Sequence, residues 1–570
     1  MASVDRNLEQ LMAHLGEFGK YQCWQFSLHI LGALTAGLHM LTLLTVAAVP
    51  PHVCDVPKST SMIDSPLSNY TASTTGWNSS ITLEQLPRAI DACHYLDVDN
   101  TTKDCESWIY DTQYFQSSRG MEWNFVCSQR WMGAVAQSSY MLGVFIGAVT
   151  LGSLADKYGR KIIFYVSAVA QLVLGVTVAL VNNYYIFLVL RFLYGIFGSA
   201  GAYITGFVLT MELVGASKRT VCGVMFQLAF AVGFMLVAVW GAVVKDRVWL
   251  QIVYGLHSAL LVGHWWLMDE SPRWLWAQGR VSEALAIIRK GLRMNGTEVE
   301  IDAAKVISEG KIRHVDADER SYGASDLFKT PNLRKKTLNV CLNWFANSLV
   351  YYGLSLNAGN LVGNPFLMMF LSGLVELPSY LLMCFLMDRT GRRCTVCSFM
   401  LIGGLCCIIA SSIPKDTSTA AATVVTIVLF GKACIAGSFA VIYNYTAELF
   451  PTVVRNTALG IGSMCARLSG ALTPMIILLD SLNPKVPAVL FGFVALMSGS
   501  LSFYLPETLN QPMPETIEDG ENFGKRETCF DTCLGSDKKS ASYEVTLNRL
   551  DDKEEKEKLN EGENGKENTR

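Results

Sequence analysis

Three ionisable side chains stand inside otherwise apolar stretches: Glu376 in GLVELPSYLL, Lys432 in LFGKACIAGSF and Arg467 in SMCARLSGALTP. A charge held in hydrocarbon costs roughly 2.5 to 3.5 kcal/mol or more, so such groups normally face a cavity and mark function. A carboxylate there can hold an ammonium, and a guanidinium can hold a carboxylate through paired N–H donors. One carboxylate beside one or two cations suits a zwitterion, unless Glu376 is simply neutralised by Lys432 or Arg467. Aromatic residues recur in comparable stretches: Tyr203, Phe226, Trp344, Tyr351, Tyr352 and Tyr443, with Gln227 as a polar neighbour. A ring facing an ammonium contributes about 0.5 to 2 kcal/mol, so the set carries more weight than any one member, which alone reads as packing. Arg191 opens RFLYG close to a turn and reads as a gate or structural residue. His29 and His39 could relay protons, although a histidine bonded to a neighbouring helix is the commoner case.

The elements that must position these groups are membrane spans. The chain has 570 residues, 51% hydrophobic and 17% charged, with a net charge of -3 and a mean hydropathy of +0.29, a membrane-class composition. It has no basic footprint for nucleic acid. The first twenty or so residues mix both charges before any apolar run, which argues against a cleaved signal peptide. A helix needs about 20 apolar residues to cross the hydrocarbon core. Twelve such runs lie near 24–49, 131–154, 162–181, 185–210, 220–243, 249–268, 337–357, 366–387, 394–413, 421–445, 456–479 and 486–505. Polar insertions at 50–130 and 269–336 divide them six and six, the layout of two parallel repeats. The expected organisation is an N-terminal segment 1–23, a six-helix bundle 24–268 containing the loop 50–130, a linker 269–336 with short helices, a second six-helix bundle 337–505 and a largely disordered tail 506–570.

Nine cations in short loops (Lys157, Arg160, Lys161, Lys218, Arg219, Arg389, Arg392, Arg393 and Arg455) oppose four on the other side (Lys245, Arg247, Lys415 and Lys485). That bias places both termini in the cytosol. Loop 50–130 is then extracellular, carrying Cys54, Cys93, Cys105 and Cys127 beside glycosylation sequons at Asn69, Asn78 and Asn100. This reads as a disulfide-stapled domain on the secreted side, with three pairings open. The sequons at Asn295 and Asn444 fall in the cytosol and in a span, and should stay unmodified. Segment 282–293, SEALAIIRKGLR, sets Ala284, Leu285, Ile288 and Leu292 on one helical face, fit to lie along the inner leaflet or the bundle, with a solvated loop helix as the alternative. Cys529 and Cys533 in the tail are lipidation candidates, more simply read as unmodified thiols. No Walker A loop, HExxH, GxSxG or paired CxxC is present, so no enzyme, cofactor or metal is expected. No motif specifies a coupling ion.

The phrase GSLADKYGRK (152–161) returns as LMDRTGRR (386–393), each time after the second span of a half. Gly159 and Gly391 suit a chain reversal between helices, and Asp156 and Asp388 can pair with the following arginines. With MDESPRWLWAQGR after span six, AELFPTVVRNTALG between spans ten and eleven and the large cysteine loop, nearly the whole chain resembles the major facilitator superfamily. More narrowly it resembles the organic cation, carnitine and organic anion transporter family (solute carrier family 22 type), and the tail PETLNQPMPETIEDGENFG is similar to that of invertebrate organic cation transporter-like members. The resemblance implies twelve transmembrane helices in two bundles, alternating access, and gating by Asp156, Arg160, Glu212, Arg219, Asp388, Arg392, Glu448 and Arg455. Each such pair is worth only about 0 to 1 kcal/mol at a surface, so locking needs the cluster. It implies that Glu376 occupies an acidic position used by cation and carnitine carriers, that Tyr203 and Tyr351 fall on aromatic substrate contacts, and that Arg467 matches the carnitine and anion branches where strict cation carriers have aspartate. The expected function is transport of small organic cations or zwitterions, carnitine-like compounds and biogenic amines, across the plasma membrane. Organic anion transport is the alternative, and a non-transporting receptor using loop 50–130 is the third reading.

Overall fold

The computed structural model of the chain describes residues 6–55, 88–89, 91–97, 101–297, 323–414, 417–511 and 513–525. Each of the twelve apolar runs is helical. An amphipathic α1 (Arg6–Leu15) precedes the first bundle: α2 (Lys20–Met40), α3 (Arg130–Tyr158), α4 (Arg160–Leu180), α5 (Tyr184–Leu213), α6 (Arg219–Val243) and α7, built from the short pieces Arg247–Leu256, Ala259–Val262 and His264–Leu267. After α8 (Val281–Asn295) comes the second bundle: α9 (Pro331–Leu356), α10 (Pro365–Thr390), α11 (Arg392–Ser412), α12 (Ser418–Leu449), α13 (Arg455–Ile477) and α14 (Val486–Ser502). Among the described residues nine helices are long and apolar enough to cross a membrane as they stand. The other three fall short for visible reasons. Helix α7 is broken, α14 has 17 residues, and α9 carries Asn343, Asn347 and Ser348 fully buried near its centre and Ser355 fully buried at its end. The Asn343 amide is satisfied inside the bundle, its Oδ1 accepting from Ser498 Oγ at 3.0 Å and Ser502 Oγ at 2.7 Å, whereas Asn347 donates to the Asn343 carbonyl at 3.0 Å and its Oδ1 is buried without a hydrogen-bond partner.

Large apolar side chains that a water-soluble protein would bury point outward, among them Leu180, Val243, Phe385 and Phe493, as a hydrocarbon solvent requires. Exposed Tyr185 and Trp249 ring one end and Trp266 and Tyr504 the other, the positions of interfacial aromatic belts. Within the first bundle α2 and α6 touch backbone to backbone. A Cβ at Gly37 would overlap the Phe230 carbonyl, and one at Gly233 the Leu34 carbonyl. The repeated turn does need its glycines, because Gly159 sits at φ +113 and Gly391 at φ +84, where a side chain is strained.

Loop 50–130 holds two small antiparallel sheets. Strand β1 (His52–Cys54) pairs with β5 (Trp108–Tyr110), and β3 (His94–Leu96) lies between β2 (Arg88–Ala89) and β4 (Thr102–Asp104). Two disulfides choose among the three possible pairings: Cys54–Cys105 and Cys93–Cys127. Buried Arg119 anchors the domain on the first bundle by donating to the carbonyls of Val178 (3.3 Å) and Ala179 (3.0 Å). The sequons at Asn69, Asn78 and Asn100 lie outside the described residues. Each disulfide closes a loop of tens of residues, 51 and 34 apart in sequence, so replacing either pair with serine is expected to cost about 2 to 5 kcal/mol of domain stability. Surface abundance of the two serine pairs checks this.

The linker face expected on 282–293 is real: Ala284, Leu285, Ile288 and Leu292 of α8 pack against Leu8, Leu11, Met12 and Leu15 of α1. Asn295 is engaged internally, accepting from the Tyr21 amide at 2.8 Å and donating to the Leu15 carbonyl at 2.9 Å. The tail differs from expectation. Residues 506–511 and 513–525 fold back onto the second bundle instead of beginning a disordered segment, because Lys336 Nζ donates to the carbonyls of Gly520 (2.9 Å) and Phe523 (2.6 Å) and Glu521 accepts from the amides of Asn332 and Leu333. Low overall hydrophobicity concealed a short stretch held by polar contacts to helix ends. Cys529 and Cys533 lie outside the described residues.

Candidate functional site

Between the bundles lies an open chamber of about 690 Å³, solvent at its mouth included. One wall is Met40 of α2, Met141 of α3, Tyr203 of α5, and Gln227 and Phe230 of α6; the other is Ser348, Tyr351 and Tyr352 of α9, Phe439 and Tyr443 of α12, and Ser463 and Arg467 of α13. Tyr203 closes a π-helical stretch, Ile196–Tyr203, the kind of irregular turn that concentrates at functional sites. The rings form a near-continuous aromatic surface: Tyr351 meets Tyr352 edge-on at 5.3 Å and Phe439 at 6.0 Å, and Phe439 meets Tyr443 at 5.8 Å. Among the described lining residues Arg467 alone carries a formal charge, and its Nε is buried without a hydrogen-bond partner.

Of the residues singled out in the sequence, Tyr203, Gln227, Tyr351, Tyr352, Tyr443 and Arg467 line this chamber, whereas Glu376, Lys432 and Phe226 do not. Phe226 is fully buried against Phe26 and Phe207. Trp344 donates to Thr446 at 3.0 Å and packs on Tyr443 at 4.3 Å. Glu376 and Lys432 form a fully buried ion pair at 3.2 Å. The Tyr351 and Tyr380 hydroxyls each donate to Glu376 Oε2 at 3.0 Å. The Lys432 ammonium lies 3.5 Å from the Tyr351 ring centroid, donates to the Tyr351 carbonyl at 3.2 Å and contacts Ser355 Oγ. Two mid-membrane charges thus satisfy each other behind Tyr351, and the third faces the chamber. Phe230, Phe439, Ser348 and Ser463 escaped the sequence reading. Helical spacing could have found them, since Gln227 and Phe230, Phe439 and Tyr443, and Ser463 and Arg467 sit three or four residues apart on one face.

Arg191 and the two histidines of α2 are engaged locally. Arg191, fully buried, donates to Thr42 Oγ1 and Gln137 Oε1, both at 3.2 Å, and sits 4.5 Å from the Tyr140 ring centroid. His39 bonds the Tyr194 hydroxyl and, at 2.9 Å, Ser258 Oγ; His29 bonds Thr210 Oγ1 at 3.0 Å.

The charged turns form two matching clusters, each within its own half. Arg160 lies 3.0 Å from both Asp156 and Glu212; Arg392 lies 3.4 Å from Asp388 and 3.0 Å from Glu448. Asp156 and Asp388 are 75% and 73% exposed, while Glu212 and Glu448 are 19% and 18% exposed, so the glutamate pairs carry most of the energy. Arg219 and Arg455, expected in the same ionic lock, instead donate to carbonyls five residues earlier, Val214 at 3.3 Å and Phe450 at 3.4 Å. Positions at the start of α6 and α13 put backbone acceptors within easier reach than the glutamates. The sequence reading missed one repeated feature. Glu270 accepts from the Lys161 amide (3.1 Å), and Glu507 accepts from the amides of Arg392 (2.8 Å) and Arg393 (3.0 Å). Both carboxylates follow the sixth span of a half and meet the N-terminus of the third, where amides are orphaned and the dipole favours anions. Burial pushes the Glu270 carboxyl above its ordinary value, against the pull of those amides and Arg160.

The halves meet on the loop-domain side. Arg130 of α3 pairs with Asp480 beyond α13 at 2.7 Å, and Ser138 donates to the Ala471 carbonyl at 2.7 Å. Phe115 of the loop packs on Phe366 at the start of α10 at 5.0 Å. Nearer the charged turns, a Cβ on Gly152 of α3 or Gly460 of α13 would meet nothing within 4 Å. The half-exposed Arg130–Asp480 pair is expected to hold this closed side weakly. Charge reversal at Asp480 should raise labelling of a Ser463→Cys thiol from the loop-domain side by about two- to fivefold, and the exchanged pair Arg130→Asp/Asp480→Arg should restore it.

Residues 78–519 match the family profile described as sugar (and other) transporter. The chain is 38% identical to an organic cation transporter protein of Drosophila melanogaster over 91% of this chain and 95% of that one, and 31% identical to human solute carrier family 22 member 16 over 90% and 93%. An organic cation transporter of Caenorhabditis elegans is 32% identical over 92% of this chain and 90% of that one. Among solved structures, the inward open conformation of the xylose transporter XylE from E. coli superposes with a TM-score of 0.57 at 16% identity, covering 87% of this chain and 98% of that one. Two six-helix bundles, paired charged turns and full-length similarity to solute carriers agree: the chain belongs to the major facilitator superfamily, as a multi-pass membrane transporter of the organic cation transporter, solute carrier family 22 type, and not to an enzyme family.

Proposed function

We propose that this transporter carries small zwitterions with an ammonium and a carboxylate, carnitine-like compounds foremost, by alternating access at the plasma membrane with both termini inside. The observation that carries the reading is the charge of the chamber: its described lining residues include one formal charge, the cation Arg467, set among tyrosine and phenylalanine rings. The guanidinium offers a charge-assisted grip on a carboxylate. The rings of Tyr351, Tyr352, Phe439 and Tyr443 offer faces to a quaternary or alkyl ammonium at about 0.5 to 2 kcal/mol each. Relatives named as organic cation transporters support an ammonium in the substrate; a lone chamber cation disfavours a plain monocation, biogenic amines included. The same cation favours a second reading, an organic anion carrier, in which the rings stack on an aromatic acid. The placement at the plasma membrane rests on the loop-charge bias and the sequons of loop 50–130.

Labelled uptake of carnitine, tetraethylammonium and an aromatic monoanion in expressing cells separates these readings. Carnitine is expected to be taken up best and tetraethylammonium least. Preference for the anion selects the second reading, and preference for tetraethylammonium refutes both.

A further inference from the structure

The surroundings of the Lys432 ammonium are those of an ammonium-binding site. Glu376 Oε1 supplies the counter-charge at 3.2 Å, the Tyr351 ring a π-face at 3.5 Å, and the Tyr351 carbonyl (3.2 Å) and Ser355 hydroxyl two acceptors. Carboxylate, aromatic face and neutral acceptors are what recognition of a primary ammonium requires. Tyr351 also lines the chamber, so one ring separates this cage from the space where a substrate enters.

We infer that Glu376, Tyr351 and Ser355 form a cation cage that the protein fills with its own tethered ammonium, making Lys432 a specificity-determining residue that refuses simple organic monocations. The inference rests on the chamber selecting a carboxylate through Arg467. With Lys432 in place, no uncompensated anion is open to a monocation; with it removed, the Glu376 carboxylate stays buried behind the Tyr351 ring and recruits one.

Lys432→Ala deletes three carbons and an ammonium, so n-propylammonium is the probe that refills the vacated volume. Propylammonium is expected to raise the unfolding midpoint of purified full-length Lys432→Ala by about 1 °C at ten times its Kd, and to move neither the unsubstituted protein nor Glu376→Gln/Lys432→Ala. Should Lys432→Ala accumulate poorly, its surface abundance in cells grown with propylammonium gives a second readout, in which recovery specific to the single variant is expected. Absence of a propylammonium effect in both readouts, or an equal effect on Glu376→Gln/Lys432→Ala, overturns the inference. Lys432→Ala is further expected to take up methylammonium about tenfold faster than the unsubstituted protein, a tenfold change in discrimination. Because the rescue needs no transported substrate, its failure leaves the role of Arg467 untouched, and failure of Arg467 variants leaves the cage untouched.

Discussion

Arg467→Gln is expected to lower carnitine uptake, as kcat/KM at constant surface abundance, by about 30- to 800-fold. That range is about 2 to 4 kcal/mol, within what truncating one partner of a desolvated, hydrogen-bonded charge pair costs. The magnitude follows from geometry. Arg467 is the one formal charge among the described lining residues, and its Nε has no partner in the protein, so a bound carboxylate has no second cation to fall back on. Arg467→Lys should recover only part of the loss, since an ammonium supplies the charge without the planar fork. Inhibition by a bulky aromatic solute that depends on the rings should change little. Initial-rate uptake of carnitine in the two variants, with inhibition curves for the aromatic solute, checks all three outcomes.

The second large effect is one of stability. Glu376→Gln is expected to destabilise the protein by about 3 to 5 kcal/mol, because it strands the Lys432 ammonium where both partners are fully buried and an unpaired buried charge is far costlier than an absent pair. Carnitine uptake should fall in step with surface abundance. The neutral combination Glu376→Gln/Lys432→Met should restore most of the stability, since replacing both ions together removes the desolvation cost as well as the attraction. Unfolding midpoints of the three proteins in detergent measure this. A double variant less stable than Glu376→Gln alone would show that the pair is not the unit assigned here.

The repeating parts of the fold were legible in the sequence, and the one-off parts were not. Twelve spans follow from run length alone, and the turns at Gly159 and Gly391 from a phrase written twice, because hydrocarbon leaves a backbone no choice but helix. The chamber was half legible. Tyr203, Tyr351, Tyr352, Tyr443 and Arg467 were named from type and family position, but composition cannot tell which side of a helix faces a void. Glu376 and Lys432 illustrate the difficulty: both sit at mid-span, as Arg467 does, yet they are 56 positions apart in sequence and meet only because α10 and α12 pack together. Arg219 and Arg455 show the reverse, since residue type suggested a carboxylate partner and a nearby carbonyl took the bond. The packed stretch 513–525 was hidden for a third reason: polar contacts to helix ends hold it, and they leave no apolar periodicity to read.

The central claim is that a single chamber cation selects substrates by their carboxylate. Purified protein in liposomes, offered carnitine and its methyl ester side by side, tests this most directly, because the two share the quaternary ammonium and differ in the carboxylate. Uptake of carnitine at least about tenfold faster than its ester, with the ratio collapsing toward one in Arg467→Gln, is the predicted result. Faster uptake of the ester, or a ratio unchanged by Arg467→Gln, would contradict it.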